Sequence, residues 1–283
     1  MARPARLEIA GAVYLISAHC PRDSRRPAFA DEADRAEMLA LLAQALQRFD
    51  AQALAYALLP RHYDLLLFTR RANLSALMRH VNGVYTLHRQ RRDGFGGPLF
   101  QGRFHAVLVD RDRHLLDACR YVDLSPVREG VARGGAAGWP GSSFRALAGL
   151  EPAPEWLDVD GMHSFVLGKP AVTAADHRRA GDLYARLVAS EPKLALWPGR
   201  LREQIFLGDA DFARRMRAAA ATLPRRAARV GWPEWLRRAD GIREQALWLA
   251  HTEGGVAMSA LAGELGLSVS RISRLIAAAE RAV

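Results

Sequence analysis

The stretch Leu58-Leu59-Pro60-Arg61-His62-Tyr63-Asp64-Leu65-Leu66-Leu67-Phe68 decides how the rest of the chain is interpreted. It predicts the end of one strand, a proline turn and a second strand that carries two polar residues inside an apolar run. Residues two apart in a strand point to the same face, so His62 and Asp64 share one face. An imidazole beside a carboxylate could hold a divalent metal, but the same spacing suits a strand edge with one exposed polar face.

Strands and helices alternate on both sides of this stretch. Apolar runs predict strands at 12–18, 53–59, 63–69 and 105–109. Apolar residues at helical spacing predict helices from Asp31 or Asp34 to near Asp50, from Asn73 onward, and from Asp112 to Pro126. We therefore expect residues 1–150 to form an α+β domain, in the order β-α-β-β-α-β-α, in which helices pack on one face of a small antiparallel sheet.

The remainder of the chain divides into two predicted regions. Residues 151–240 follow a proline-bearing connection and predict a helical packing region or linker without a recognisable chemical site. Residues 241–283 contain a stretch, 258–276, with the spacing of a helix-turn-helix. In it Ala262 is the small residue where two helices cross, and Gly266 is placed at the turn, where a positive φ is needed.

The second helix of this pair has a predicted apolar side and a predicted polar side. Leu267, Ile272 and Leu275 are the expected buried positions. The polar residues that then face outward, a suitable set for phosphates and base edges, are Ser268, Ser270, Arg271, Ser273 and Arg274. Any alanine-rich amphipathic helical hairpin would show a similar pattern.

Charge points to a polyanionic partner. The 283 residues include 40 Lys and Arg against 30 Asp and Glu, a net charge of +10. A surplus of this size favours nucleic acid as a partner. An alanine- and arginine-rich composition can also reflect a GC-rich genome, so composition alone leaves both explanations open.

Basic residues gather on the helix after Asn73 and in the segment that follows it. The helix carries Arg79, His80, His88, Arg89, Arg91 and Arg92, and a glycine-rich turn then leads to Phe100, Arg103 and Phe104. Arginines interleaved with aromatic rings suit a single strand of nucleic acid, because guanidinium groups meet phosphates and rings stack on bases. A row of basic residues on a helix is also typical of a solvated face.

Cysteine content and hydropathy bear on the compartment. Cys20 and Cys119 lie far apart in the sequence and predict free thiols rather than a disulfide framework. The N-terminal residues lack the apolar run of a signal peptide, and no run approaches the length of a membrane span. We therefore expect a cytoplasmic, nucleoid-associated protein without a membrane partner.

Several motifs in register over most of residues 1–150 resemble those of the REP-associated tyrosine transposases. These are relatives of the insertion-sequence transposases with one catalytic tyrosine and an HUH motif. Residues 59–66 (L-P-R-H-Y-D-L-L) resemble the family's M-P-N-H-Y-H-L-L, and 99–104 match L-F-Q-G-R-[FY]. Residues 119–128 (C-R-Y-V-D-L-S-P-V-R) resemble C-R-Y-I-H-L-N-P-V-R, and 139–143 resemble W-x-x-S-S. Longer family members also carry a C-terminal helix-turn-helix.

The resemblance implies cleavage and rejoining of single-stranded, hairpin-forming DNA. Tyr121 matches the nucleophile, which attacks a phosphodiester and leaves a 5′-phosphotyrosine and a free 3′-OH. His62 matches the first motif histidine, and with Asp64 and Ser125 it would hold Mg²⁺ or Mn²⁺. Without the resemblance, Tyr121 would be interpreted as a core or half-buried tyrosine.

Partners follow from the same comparison. The predicted contacts to single-stranded or hairpin DNA are Arg61, Arg79, Arg89, Arg91, Arg92 and Arg103. Ser270, Arg271 and Arg274 are the predicted contacts to duplex DNA at the C-terminal helices. A homodimer is a further option for this chain.

Four residues depart from the family's motifs, one of which is His105, where a lysine often follows G-R-[FY]. Asp64 replaces the second histidine, Ser125 replaces an asparagine and Arg61 replaces the asparagine before His62. Asp64 can still ligate Mg²⁺ or Mn²⁺, which prefer oxygen, whereas Ser125 is a weaker ligand. Arg61 could contact a phosphate or compete with the metal. Two hypotheses result: an active strand-cleaving enzyme, or a protein that has lost cleavage and binds DNA as a regulator or hairpin-binding factor.

Overall fold

The sheet is built around its first strand, β1 (Ala12–His19), in the computed structural model, which describes residues 7–24, 26–196, 200–222, 230–254 and 256–280. β1 pairs antiparallel with β3 (His62–Thr69) on one side and with β4 (His105–Val109) on the other. β2 (Ala51–Leu59) pairs antiparallel with β3 across the Pro60–Arg61 turn. The predicted hairpin and the four predicted strands are confirmed, with small shifts at their ends.

A fifth strand comes from the middle of the chain. β5 (Phe206–Leu207) pairs in parallel with β4 and completes the strand order β2-β3-β1-β4-β5. The α+β class is confirmed, but the sheet is mixed at this edge rather than wholly antiparallel. Two residues are too few to show a strand period, so the sequence carried no signal for β5.

Helices cover both faces of the sheet rather than the single face that the sequence predicted. The Tyr63 hydroxyl donates to Asn82 of α2 (Leu74–Asp93) at 2.6 Å. Asp64, the next residue, accepts from Ser125 of α4 (Ser125–Arg128) at 2.5 Å. Adjacent strand residues point to opposite faces, so α2 and α4 lie on opposite sides. The continuous leucine run of β3 agrees with this arrangement, because a strand covered on both faces is apolar throughout.

The helices around the sheet begin and end at recognisable residues. α1 (Glu32–Arg48) packs beside α2, and its N-cap Asp31 accepts from the backbone N–H of Asp34 at 2.9 Å. α3 (Arg111–Asp123) starts after its N-cap Asp110 and is followed at once by α4. Pro126 lacks a backbone N–H, so the regular hydrogen bonding of α3 cannot continue through it.

The segment predicted as a packing region or linker belongs largely to the main core. It follows α5 (Phe144–Leu147), and it contributes α6 (Val159–Leu167), α7 (Ala174–Ser190) and α8 (Ala210–Thr222). Tyr184 of α7 and Phe206 of β5 are fully buried in that core. This segment therefore completes the N-terminal unit, and the predicted division at residue 151 is not a boundary in the packing.

The last four helices surround a second core. They are α9 (Trp232–Arg238), α10 (Arg243–Thr252), α11 (Met258–Leu265) and α12 (Val269–Glu280). Trp235 of α9 is part of this core, so the C-terminal unit begins before the predicted boundary at 241. Ile272 is buried as predicted, but Leu267 and Leu275 are only partly buried, and Ile276 takes a buried position instead.

Two further expectations concern cysteines and membranes. Cys20 and Cys119 are buried free thiols, as predicted. Across the described ranges, no helix has both the length and the apolar character that crossing a membrane requires. Residues 1–6, part of the segment in which we looked for a signal peptide, lie outside the described ranges.

Substitution of Gly266 tests the turn between α11 and α12. Gly266 has φ 63°, as the helix-turn-helix pattern predicts, and neither it nor Gly263 has an atom within 4 Å of an added Cβ. We expect Gly266→Ala to lower the stability of this unit by about 1–2 kcal/mol, because alanine resists a left-handed backbone. Gly263→Ala, inside α11, should instead add about 0.5–1 kcal/mol. Hydrogen exchange of the α11 and α12 amides measures both effects, and equal signs for the two variants would contradict the assigned turn.

Candidate functional site

A polar patch interrupts the apolar face formed by β1 and β3. Ser17 lies opposite Asp64, and His19 lies opposite His62, in the antiparallel register. Directly opposite residues project to the same face, so all four side chains gather there. The His19 and His62 rings are stacked with centroids 4.6 Å apart. His105 of β4 lies opposite Ser17 on the other side and extends the same face.

Asp64 is the centre of this patch. It is only 4% exposed, and its two oxygens accept from different serines: Oδ1 from Ser17 Oγ at 2.5 Å and Oδ2 from Ser125 Oγ at 2.5 Å. Burial by itself would raise the pKa of Asp64, but His62 and the two hydroxyls outweigh it and lower the pKa to about 2. Asp64 is therefore a buried carboxylate that stays ionised.

Three groups that can ligate a metal converge here: the Asp64 carboxylate, the His62 imidazole and the Ser125 hydroxyl. His62 Nε2 lies 3.7 Å from Asp64 Oδ2 and 3.5 Å from Ser125 Oγ. One carboxylate, one imidazole and one hydroxyl fit Mg²⁺ or Mn²⁺, which need few protein ligands when waters and a phosphate complete the shell. Among the described residues, no three His, Cys, Asp or Glu side chains gather as a metal cluster. The donor set thus depends on Ser125.

Tyr121 is linked to this patch through Arg128, since Tyr121 and Asp64 both act on the pKa of that arginine. In sequence it precedes Ser125 by four residues, across the junction of α3 and α4. Tyr121 is 9% exposed, and the Arg128 guanidinium lies over its ring, 3.7 Å from the centroid. Arg128 Nη1 also donates to the Tyr121 carbonyl at 2.6 Å. The arginine therefore holds both the ring and the backbone of the tyrosine.

Arg128 also links the tyrosine to the charges of the patch. Burial lowers the pKa of Arg128, although Tyr121, Asp64 and Glu129 act in the opposite direction. An arginine guanidinium is effectively always protonated in proteins. A positive charge therefore acts on both the tyrosine and the buried carboxylate.

The patch opens to solvent at the end of β1. His19 is exposed there, while His62 beside it is buried. Burial of part of its ring, followed by the neighbouring His62, lowers the pKa of His19. The backbone N–H of Gln101 donates to the His19 carbonyl at 2.7 Å, which brings the segment of 99–104 to this opening.

Two of the predicted DNA contacts lie near this opening. Arg103 is exposed two residues after Gln101. Arg61 is also exposed, but its guanidinium donates to the carbonyls of Pro21 and Ser24, each at 2.8 Å. Arg61 thus holds the 21–24 turn beside His62, and its side chain does not point at the Asp64 carboxylate as a competitor for metal would.

The arginines of α2 do not share one environment. Arg89 is 2% exposed and forms ion pairs of 2.8 Å with both Asp34 and Asp93, which is not compatible with the predicted DNA contact. Arg92 is exposed at its tip but is paired with Asp34 at 2.5 Å. Arg91 is exposed and Arg79 is half-buried. Arg89 and Arg92 are paired because α1 packs on α2 and places its acidic residues against this side of α2.

The predicted C-terminal contacts lie on the outer side of α12. Ser270, Arg271 and Arg274 are exposed, opposite the buried Ile272 and Ile276. Their outward placement is as predicted. Their binding to DNA stays a prediction.

Sequence reasoning missed three residues of the patch. Ser17 is a polar residue inside the apolar run of β1, and His19 follows it with the strand period of two, so a signal was present. Their contact with Asp64 and His62 needed the pairing of β1 with β3, which the sequence did not specify. Arg128 was quoted in a motif, but its stacking on Tyr121 depends on how α4 follows α3.

A second buried carboxylate supports the tyrosine helix from the other side. Asp123 accepts from the Ser143 hydroxyl at 2.6 Å and from the Tyr184 hydroxyl at 2.6 Å. Burial raises the pKa of Asp123 to about 7, against the effect of those two hydrogen bonds. The end of α3 is thus tied to α7 and to the segment before α5.

Asp123 makes stability depend on pH. Its pKa rises from an ordinary 3.8 to about 7 in the folded chain, so between these values the folded state binds more protons than the unfolded state. The contribution of Asp123 is therefore full below pH 3.8 and is lost as the pH rises to about 7. We expect Asp123→Asn, which does not titrate, to weaken this fall in stability. Urea unfolding at several pH values measures it, and parallel profiles for both proteins would contradict the raised pKa.

Comparison with known proteins gives a structural likeness. No protein-family model matches the sequence, and no match was found among curated proteins. Among solved structures, the chain is similar to a REP-associated tyrosine transposase bound to a REP hairpin, with 19% sequence identity and a TM-score of 0.45. The match covers 56% of this chain and 94% of that chain.

Proposed function

We propose that this protein binds single-stranded or hairpin DNA at the opening beside His19 and cleaves and rejoins it through Tyr121. One observation supports the proposal: the Ser125 hydroxyl, four residues after Tyr121, donates to Asp64 and lies 3.5 Å from His62, while Arg128 stacks on the Tyr121 ring. A charged carboxylate, an imidazole and a hydroxyl thus meet close in sequence to a potential nucleophile. The net charge of +10 favours a polyanionic substrate for this place.

The chemistry is a transesterification. The Tyr121 oxygen forms a bond to phosphorus and loses its proton, while the bond from phosphorus to the 3′ oxygen breaks and that oxygen takes up a proton. The products are a 5′-phosphotyrosine and a free 3′-OH, and the reverse reaction with another 3′-OH rejoins a strand. Arg128, 3.7 Å from the Tyr121 ring centroid, would stabilise negative charge on the phenol oxygen and on the phosphate.

His62, Asp64 and Ser125 would hold a divalent cation, Mg²⁺ or Mn²⁺. Such a cation polarises the scissile phosphate and neutralises its charge. Asp64 supplies a carboxylate that remains ionised, because its pKa is about 2. Ser17 keeps the other carboxylate oxygen oriented through its 2.5 Å hydrogen bond. Exposed Arg103 and Arg91 would contact the phosphates of the bound strand.

A second candidate function is DNA binding without cleavage, as a regulator or a hairpin-binding factor. The side chain of Tyr121 favours it, because the residue is 9% exposed and Arg128 covers its ring. Both Asp64 oxygens also already accept hydrogen bonds from serines. In this candidate, the buried polar patch serves the fold and the basic surface serves the DNA.

A covalent-adduct assay separates the two candidates. The protein is incubated with a labelled hairpin oligonucleotide carrying single-stranded flanks, in Mg²⁺ or Mn²⁺, and run on a denaturing gel. We expect a protein–DNA band that Tyr121→Phe abolishes, because the variant lacks the attacking hydroxyl. Tyr56→Phe is the matched control, since it removes the hydroxyl of another buried tyrosine, which packs on Trp156 away from the patch.

The gel and a binding assay together decide the outcome. A band that survives in Tyr121→Phe would show that another residue is the nucleophile. Tight hairpin binding with no band in either metal would reject cleavage and leave the binding function.

Metal binding can be measured without any DNA. Free Mn²⁺ is counted by electron paramagnetic resonance during titration of the protein. We expect Asp64→Asn to weaken Mn²⁺ binding at least tenfold, because a neutral amide replaces an ionised oxygen ligand. Glu129→Gln removes an exposed carboxylate near His19 and should change little. Equal Mn²⁺ binding by the parent protein and a folded Asp64→Asn would refute this metal site.

A further inference from the structure

The C-terminal unit is attached to the sheet domain through the end of α1. The Arg48 guanidinium lies over the Trp248 ring of α10, 3.7 Å from its centroid. The same guanidinium donates to Glu253 Oε1, at 3.2 Å from Nε and 2.7 Å from Nη2. His80 of α2 adds an edge contact to Trp248, with centroids 6.0 Å apart. These contacts fix where the unit lies relative to the candidate site.

This attachment is far from the candidate site along the strands. Arg48 and Phe49 lead directly into β2, whose first residue, Ala51, pairs with Thr69 at the end of β3. His62 is at the start of β3. The two ends are roughly 23 Å apart, at about 3.3 Å per strand residue.

The attachment is also on the opposite face of the sheet. Tyr63 and its partner Asn82 of α2 are on the face that α1 and α2 cover, whereas Asp64 and Ser125 are on the other face. The C-terminal unit contacts the α1–α2 layer through Arg48 at the end of α1 and through the packing of α10 on α2. The sheet therefore lies between this attachment and the candidate site.

The exposed surface of α12 suits a duplex better than a single strand. It presents Ser270, Arg271 and Arg274, which can donate to phosphates and to base edges in a groove. Single-strand binding sites use aromatic rings for stacking on bases, and residues 269–280 contain no aromatic residue. The left-handed Gly266 ends α11 and turns the chain into α12, the order of elements found where a second helix enters a major groove.

We propose that α12 binds a second DNA segment, a duplex, while the candidate site holds its own strand, so that one chain bridges two DNA segments. This inference rests on the proposed DNA-binding function of the sheet domain. The two DNA segments can be bound at the same time, because the candidate site and the attachment of the C-terminal unit lie at opposite ends of the strands and on opposite faces of the sheet. The Arg48–Trp248–Glu253 contact keeps the two surfaces at a set spacing.

A capture experiment with the full chain tests bridging. A biotinylated hairpin with a short stem is immobilised, the protein is added, and a fluorescent pool of random-sequence duplexes follows at low salt. We expect duplex fluorescence to be retained only when the protein is present. Excess free hairpin should release the duplex in proportion to the protein that it releases from the immobilised hairpin. In solution, each probe should bind without displacing the other.

An arginine variant assigns the duplex to α12. Arg271→Ala with Arg274→Ala should weaken duplex binding at least tenfold and reduce the slope of log Kd against log salt by about 2, because each arginine neutralises about one phosphate. The amount of variant protein retained on the immobilised hairpin should be unchanged. The matched control, Arg178→Ala with Arg179→Ala, removes two exposed arginines of α7 and should leave duplex capture intact.

The two arms keep the conclusions separate. If the immobilised hairpin retains the protein but no duplex is captured, or if one probe displaces the other, bridging is overturned and the proposed function still stands. Unchanged duplex capture by the α12 variant would also overturn the inference. Duplex binding through α12 without any hairpin binding would overturn both the proposed function and bridging.

Discussion

The ionised carboxylate of Asp64 is the constraint on which the architecture of the site depends. It is buried between β1, β3 and the start of α4, and the hydroxyls of Ser17 and Ser125 both donate to it. A buried charge that loses its partners costs about 3–5 kcal/mol. The pairing of Ser17 with Asp64 and the position of the α3–α4 junction are therefore coupled. The same charge is the one to which the proposed divalent cation would bind.

The helix that carries Tyr121 lies between two buried carboxylates of opposite character. On the sheet side Asp64 has a pKa of about 2, whereas Asp123 on the outer side has a pKa of about 7. The difference follows from their donors, because Asp64 has His62 beside it and Asp123 has only neutral hydroxyls from Ser143 and Tyr184. The outer contact explains why the 151–222 segment packs as part of the domain: its α7 anchors the end of α3.

Much of the local structure could be predicted. The hairpin around Pro60, the strand of β4 and the left-handed Gly266 follow from patterns within a few residues. Longer-range features could not be predicted. Arg89 had the pattern of a DNA contact but pairs with Asp34 of α1, and β5 is two residues long. In both cases the deciding partner lies far away in the sequence, and no local period identifies it.

The sequence by itself determined that His62 and Asp64 share one face of a strand, because this relation depends only on the strand repeat. It also placed Tyr121 four residues before Ser125, although the structure divides them between α3 and α4. The tertiary structure alone decided that Ser17 and Ser125 both reach Asp64, that Arg128 covers Tyr121, and that the C-terminal unit attaches on the opposite face of the sheet from the site. Such contacts depend on how elements pair and pack, and many packings are compatible with the same local periods.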